Sequence, residues 1–362
     1  MRGSDLRQEG LFSYVSCEAR VPPEHPLRPV RAMLDAALRQ MSGTFEGIYA
    51  ATGRPSIAPE KLIRGLLLQV LYSVRSERLL MEQLEYNLLF RWFVGLSMDE
   101  PVWNHSVFSK NRERLIQAQV VRELFAHILQ QAEQAKLLSD EHFSVDGTLI
   151  DAWASLKSLR PRDENIPPDD PPGRNPEVDF HGQRRTNATH ESSSDPDARL
   201  ARKGAGQEAK LRYSGHVLME NRSRLAVNAR VAAAAGTTER EQALEMLDEL
   251  PDAGHKTLAG DKGFDTFDFV AACRARKVTP HVAQNAKRRG GSAIDARTTR
   301  HPGYRLSQKI RKCIEEGFGW AKTIGPVGRV KLRGLNKVDF SFVLTFIGYN
   351  LVRMRNLRHA RP

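Results

Sequence analysis

The side chains best placed to do chemistry are acidic. Asp146 lies in the run Phe143-Ser-Val-Asp-Gly-Thr-Leu-Ile150, whose alternation puts Ser144, Asp146 and Thr148 on one polar face. Asp261 closes the short run Thr257-Leu-Ala-Gly-Asp261, where a strand enters a glycine turn. A third acid comes from the helical stretch Leu306–Lys322, which offers Glu315 and Glu316. Carboxylate oxygens are the ligands Mg²⁺ prefers, usually one or two of them with substrate phosphate completing the shell. Mn²⁺ serves as a substitute. Two such ions ~3.5–4 Å apart clamp the attacking and leaving oxygens of an in-line phosphoryl displacement. An isolated aspartate after a strand is commonly a turn or cap residue, and the chain has 43 acids. The order Asp–Asp–Glu on a first strand, a fourth strand and a late helix is more specific than any one of them. Other chemistries lack their motifs: there is no P-loop, dinucleotide fingerprint or HExxH, and the histidines are scattered.

Helical phase separates the two glutamates. Ile310, Ile314, Phe318 and Ala321 form one apolar stripe at 3.6-residue spacing. Arg311, Lys322 and Glu315 share the strip beside it. Glu316 falls opposite, near Lys312, and reads as half of a surface Lys–Glu pair.

The elements that must position these acids follow from periodicity. Residues 1–140 read as helical. Pro59 suits a first turn, with Leu62, Leu66 and Val70 behind it. A second helix carries Leu80, Leu84 and Leu88 and ends at Gly95; a third begins near Asn104 and carries Lys110, Arg112 and Arg114. That third helix suits either a DNA groove or the exposed basic face of a bundle. From His142 the character changes. Strands are expected at 143–150, 214–219, 225–231, 257–261 and 278–282, with helices at 239–250, 267–277, 306–322 and 339–357. That order predicts an α/β domain with a mixed sheet. Between the first two strands, Lys157–Arg212 holds seven of the 19 prolines, 11 basic and 10 acidic residues, and few large apolar ones. Such a stretch buries too little to offset its ordering entropy and reads as a mobile insertion. A sharper alternative has it order on nucleic acid through Arg184, Arg185, Arg202 and Lys203.

Composition narrows the class. With 40% hydrophobic residues, 362 positions suffice for two or three domains. No run approaches the ~20 apolar residues of a membrane helix, and MRGSDLRQEG lacks the apolar core of a secretory signal. Cys17, Cys273 and Cys313 lie too far apart for a disulfide framework or Cys-rich zinc site. A soluble, cytoplasmic protein is expected. The net charge of +12 is concentrated: from Gln284 onward there are 18 Lys/Arg against four acids. That block, including Lys287, Arg288 and Arg289, suits a polyphosphate partner, or simply a solubilising surface.

At motif level the chain resembles bacterial insertion-sequence transposases of the DDE class, close to the insertion-sequence five group. The N-terminal half is similar through HPLRPVRAMLDAAL, GRPSIAPEKLIRGLLLQVLYSVRSERLLMEQLEYNLLFRWFVGL and WNHSVFSKNRERL. The other half is similar through FSVDGTLIDAWAS, AGDKGFDT, IRKCIEEGFGWAKT and FIGYNLVRMRNL. The resemblance implies an RNase H-like catalytic domain at 136–338, interrupted by the insertion at 157–212. An all-α DNA-binding domain would precede it at 1–135, and a C-terminal helix and basic tail would follow at 339–362. It implies Asp146, Asp261 and Glu315 as the metal-binding triad, with two Mg²⁺ ions. Relatives carry Tyr-x2-Arg-x3-Glu-x6-Lys; here Arg311-x3-Glu315-x6-Lys322 fits, and Gln308 replaces the tyrosine. Arg311 and Lys322 are then read as phosphate contacts, with Lys287, Arg288, Arg289, Lys110 and Arg112 as further DNA-binding candidates. The implied partners are double-stranded DNA, as inverted repeats and target, and a second copy of the chain. The rivals are an RNase H-like nuclease without strand transfer and an inactive, transposase-derived regulator. Inverted repeats flanking the gene would separate these.

Overall fold

In the computed structural model, residues 15–49, 52, 56–162, 185–204, 206–251 and 254–359 are described. The N-terminal part is helical: α1 (Cys17–Arg20), α2 (Leu27–Gln40), α3 (Ser42–Ile48), α4 (Pro59–Leu71), α5 (Glu77–Tyr86), α6 (Leu88–Val94), α7 (His105–Gln117) and α8 (Val120–Gln134). Pro59 occupies the first turn of α4, and Leu62, Leu66 and Val70 are buried as their spacing requires. The leucines at 80, 84 and 88 do not share one helix. Asn87 takes an extended conformation and its side chain accepts from the Phe90 N–H, so it ends α5 and caps α6. Asparagine competes with the helical backbone in this way at many helix starts.

The second part begins at β1 (His142–Asp151). It continues through β2 (Leu159–Pro161), β3 (His190–Ser192), β4 (Arg199–Ala201), β5 (Lys210–Glu220) and β6 (Ala226–Ala233). Then come α9 (Thr238–Asp248), β7 (Lys256–Gly260), α10 (Phe267–Ala275) and β8 (Val278–Val282). The chain ends in α11 (Ala296–Thr299), α12 (Pro302–Ile310), α13 (Ile314–Thr323) and α14 (Leu335–His359). The main sheet has the order β6-β5-β1-β7-β8, with the short β4 also on β5. β5 is antiparallel to β1 and β6, while β7 is parallel to β1 and β8 to β7. Hairpin connections join the antiparallel pair β5–β6, and helices cross over to the parallel members, as connection geometry demands.

One face of the sheet packs under α9 and α10, with Phe143, Val145, Leu218, Met246 and Phe269 buried together. The other face joins the N-terminal helices, α13 and α14 in one larger core. α14 buries residues on nearly every side, from Phe342 and Phe346 to Asn350 and Met354, and so runs through the middle of that core.

Two expectations need revision. Leu306–Lys322 is not one helix: a 3-10 turn at Arg311–Cys313 separates α12 from α13. Within 157–212, residues 157–162 and 185–204 are not featureless. β2 pairs with β3, β4 pairs with β5, and Ser192 and Asp195 are fully buried. Asp195 accepts from Tyr213 Oη at 2.5 Å and from the Gly334 N–H at 3.1 Å. Polar contacts hold this segment together with Leu159, Ala198 and Leu211, which are buried in the larger core. The stretch 163–184, which carries most of the prolines behind the insertion reading, lies outside the described residues, as does Arg184.

Candidate active site

β1 pairs with β5 along nearly its whole length, but with β7 only over His142–Ser144. Ser144 faces Ala259 in that parallel ladder. Continuing it by two residues sets Asp146 beside Asp261, where the strands part. A crevice at the C-terminal ends of parallel strands is the usual place for a site in an open α/β sheet. Asp146 Oδ1 accepts from the Gly147 N–H at 2.8 Å. Asp261 caps the following 3-10 turn, accepting from the Gly263 N–H at 2.7 Å. It is thus a turn residue and a site candidate at once.

Glu315 stands in the first turn of α13. That helix comes close to β5 because residue 317 is glycine: a Cβ there would lie 3.0 Å from Met219 Cε. Glu315 and Asp261 act on Asp146 as like charges. Glu316 instead pairs with Arg224 Nη1 at 3.0 Å, away from the crevice. The separation of the two glutamates follows the helical phase of Ile314, Phe318 and Ala321, all buried. Burial and these neighbouring carboxylates push the Asp146 carboxyl up to about 6, against the pull of the Gly147 N–H and Arg311.

A fourth carboxylate is present that the sequence did not mark. Glu239, in the first turn of α9, is pushed up to about 7 by burial and by Asp146 and Asp261. In sequence it is one acid among several in a helical stretch. Only the three-dimensional position of Gly147 shows what it approaches.

These groups match a divalent cation in donor type, being oxygen ligands with uncompensated charge. As they stand, no three His, Cys, Asp or Glu side chains among the described residues are gathered tightly enough to enclose an ion. The rise at Asp146 comes first from its burial, and repulsion by Asp261 and Glu315 adds to it.

The basic candidates fall in four places. Arg311, in the 3-10 turn before α13, acts on Asp146, and its Nε is buried with no hydrogen-bond partner. Lys322, exposed near the end of α13, lines a groove of about 630 Å³ bounded by α4, α13 and α14, with Arg75, Trp153, Arg329 and Lys331. Arg329 stacks on the Trp153 ring at 4.9 Å. Lys287, Arg288 and Arg289 are exposed on the loop after β8. Buried Asp265 shapes that loop, accepting from the Asn285 and Ala293 N–H groups at 2.6 and 2.9 Å. Lys110 is exposed on α7, whereas Arg112 beside it turns inward and pairs with Glu77 and Glu113. Gln308, at the position where relatives carry tyrosine, donates to the His281 carbonyl and ties α12 to β8.

A mixed sheet with the order β6-β5-β1-β7-β8, with helices on both faces and acids just past where β1 and β7 stop pairing, is the RNase H-like fold. A transposase-domain family (DUF772) matches residues 15–114, and the Transposase DDE domain family matches residues 176–351. The chain belongs to the DDE transposases, enzymes that break and join phosphodiester bonds in DNA and depend on divalent metal ions. The DDE match contains Asp261 and Glu315 and begins after Asp146. Among solved structures, the chain is similar to a piggyBac transposase synaptic complex with hairpin DNA determined by cryo-EM, at a TM-score of 0.45 and 9% identity, covering 93% of this chain and 76% of that one. No curated protein matches the chain. No helix among the described residues is long and apolar enough to cross a membrane.

Proposed function

We propose that Asp146, Asp261 and Glu315 form the catalytic centre of an insertion-sequence transposase of the group five type, which cuts at terminal inverted repeats and transfers the freed strand to a target. The observation that supports this reading is the β1–β7 ladder, which continued two residues past Ser144 and Ala259 aligns Asp146 with Asp261, with Glu315 acting on Asp146 as a like charge. Mg²⁺, or Mn²⁺ in its place, supplies charge stabilisation for the attacking and leaving oxygens of an in-line displacement when two ions are bound between these carboxylates. Arg311 holds positive charge against the phosphate beside Asp146. Lys322 and the neighbouring groove lead DNA away from the centre. Lys287, Arg288, Arg289 and Lys110 extend the phosphate-binding surface. Arg112 serves the packing of α7 instead, because its charge is spent on Glu77 and Glu113. The protein works in the cytoplasm on nucleoid DNA. Two element ends must be held together, so a homodimer is the working form.

The test is a gel assay on labelled DNA carrying the inverted repeats that flank the gene, with Mg²⁺ or Mn²⁺. The wild type should nick at the repeat end and join the 3′ end to a second duplex. Asp146→Ala and Asp261→Ala should abolish both steps and still bind the ends. Full cleavage by either variant would refute the assignment. Cleavage without joining would make the protein a nuclease.

A further inference from the structure

Glu239 and His216 meet at one point beside Asp146, and neither belongs to the triad. Gly147 follows Asp146 on β1 and faces His216 across the β1–β5 ladder. A Cβ built on Gly147 would lie 2.5 Å from Glu239 Oε1 and 3.3 Å from His216 Nδ1. The space a Cβ would take there is filled by the Glu239 carboxylate, which any larger residue would displace. Glu239 reaches it from the first turn of α9. That turn holds a second acid, Glu241, which is exposed and suffices for the helix dipole. Glu239 instead turns inward, toward two acids that repel it.

His216 supplies an independent observation. Its side chain is fully buried, and neither ring nitrogen has a hydrogen-bond partner. An orphaned polar group in a protein interior is costly and calls for an explanation. Here one nitrogen is aimed at the gap that the Glu239 carboxylate occupies. Carboxylates that hold a metal are themselves held by hydrogen-bond donors behind them.

We propose that Glu239 is a fourth carboxylate of the metal-binding centre, reaching it through the space left open by Gly147, with His216, unbonded in the metal-free chain, placed to become its donor when an ion is bound. Asp146 and Glu239 flank one peptide unit, on opposite faces of β1. The Gly147 N–H donates to Asp146 and also acts on Glu239. The pair therefore grips the strand end from both sides. Glu239 adds ligand charge on the side away from Glu315, where a second ion would otherwise have Asp146 and Asp261 alone. His216 is a positioning residue and touches no ion.

This inference rests on the triad reading, and its test keeps the two apart. Mn²⁺ is titrated into the full chain without DNA, with free Mn²⁺ followed by electron paramagnetic resonance and melting temperature by calorimetry. Glu239→Gln should weaken Mn²⁺ binding about tenfold or more and shrink the metal-induced rise in melting temperature. Its metal-free melting temperature should be unchanged or higher, since a crowded acid is gone. Gly147→Ala changes no charge but pushes the carboxylate out of its gap, and should lose Mn²⁺ affinity similarly. His216→Phe should lose less, and only while Glu239 is present. Wild-type Mn²⁺ affinity in Glu239→Gln, beside lost affinity in Asp146→Asn, would overturn the fourth carboxylate and leave the triad standing. A lower metal-free melting temperature with an unchanged metal response would overturn it too, making Glu239 a structural brace. Unchanged binding in both Glu239→Gln and Asp146→Asn would remove the triad as the metal centre.

Discussion

Removing the charge of Asp146 should stabilise the metal-free protein at neutral pH and not at acid pH. The carboxyl is raised from 3.8 to about 6 by burial and by Asp261 and Glu315. Between those values the folded chain holds a proton that the unfolded chain releases. Stability therefore falls as pH rises through this window and stays lower above it. At roughly 1.4 kcal/mol per tenfold change in proton affinity, the penalty above pH 6 is ~3 kcal/mol. Asparagine keeps the shape and can still accept from the Gly147 N–H, but carries no charge to repel its neighbours. Glu239 shares the repulsion, so the two acids titrate as a pair and Asp146→Asn should recover part of the penalty, about 1–3 kcal/mol. Urea unfolding in excess chelator at about pH 4.5, 6 and 7.5 measures this. The variant should gain on the wild type as pH rises and match it near pH 4.5. With Mg²⁺ present the order should reverse, because only the wild type keeps the full ligand set. A variant less stable than wild type at pH 7.5 without metal would refute the reasoning. It would mean that Asp146 is held by donors it needs, not crowded by acids.

Other outcomes follow from the same geometry. Glu315→Gln should abolish strand cleavage at an unchanged melting temperature, while Glu316→Gln should cleave normally and cost under ~1 kcal/mol for its exposed pair with Arg224. The reverse result, read by gel and calorimetry, would put the wrong glutamate in the crevice. Replacing both Arg311 and Lys322 by alanine should flatten the dependence of log K on log salt for end binding, by ~0.9 for each phosphate no longer neutralised; an unchanged slope means that neither touches phosphate. Arg112→Met should leave that slope alone and destabilise the protein by ~1–3 kcal/mol in urea unfolding, since it leaves the part-buried Glu77 with Ser109 alone, while Glu113 keeps Lys337.

The parts of the fold legible in sequence are those with a single dominant period. The alternation of 143–150, the i, i+4 spacing behind Pro59 and the short runs at 257–261 and 278–282 all gave elements of the right type near the right residues. Helix interruptions were not legible, because they are set by one residue against a continuing apolar pattern. Asn87 splits one predicted helix by capping the next, and the 3-10 turn at Arg311–Cys313 splits another. Order inside 185–212 escaped for a different reason. It depends on buried polar groups such as Asp195, whose partners Tyr213 and Gly334 are distant in the chain. Asp146, Asp261 and Glu315 stand out in sequence because each sits in or beside a legible strand or helix. Glu239 does not, because its place is defined by a missing side chain on another strand.

The C-terminal segment also does more than its sequence suggested. Read as a helix with a basic tail, α14 in fact joins the helical part to the sheet. Asp339 accepts two bonds from Arg122 Nη2 on α8, at 2.7 and 2.6 Å, and one from the Val231 N–H on β6 at 2.8 Å. Lys337 pairs with Glu113 on α7 at 2.8 Å. Farther along, buried Asn350 takes both backbone groups of Ala226, accepting at 2.9 Å and donating at 2.8 Å. Satisfied pairs of this kind fix position more than they add stability, since losing one partner leaves the other buried and unmet. They set α14 in one register against β6, while its apolar sides fill the core shared with α2, α4 and α8. The N-terminal helices are therefore held at a fixed distance from the strand end that carries Asp146. Under the proposed function, with DNA bound by the N-terminal helices and cut beside Asp146, that spacing would link recognition to chemistry. The apolar, nearly uniform pattern of α14 is what makes the link possible, because a one-sided helix could pack against only one of the two parts.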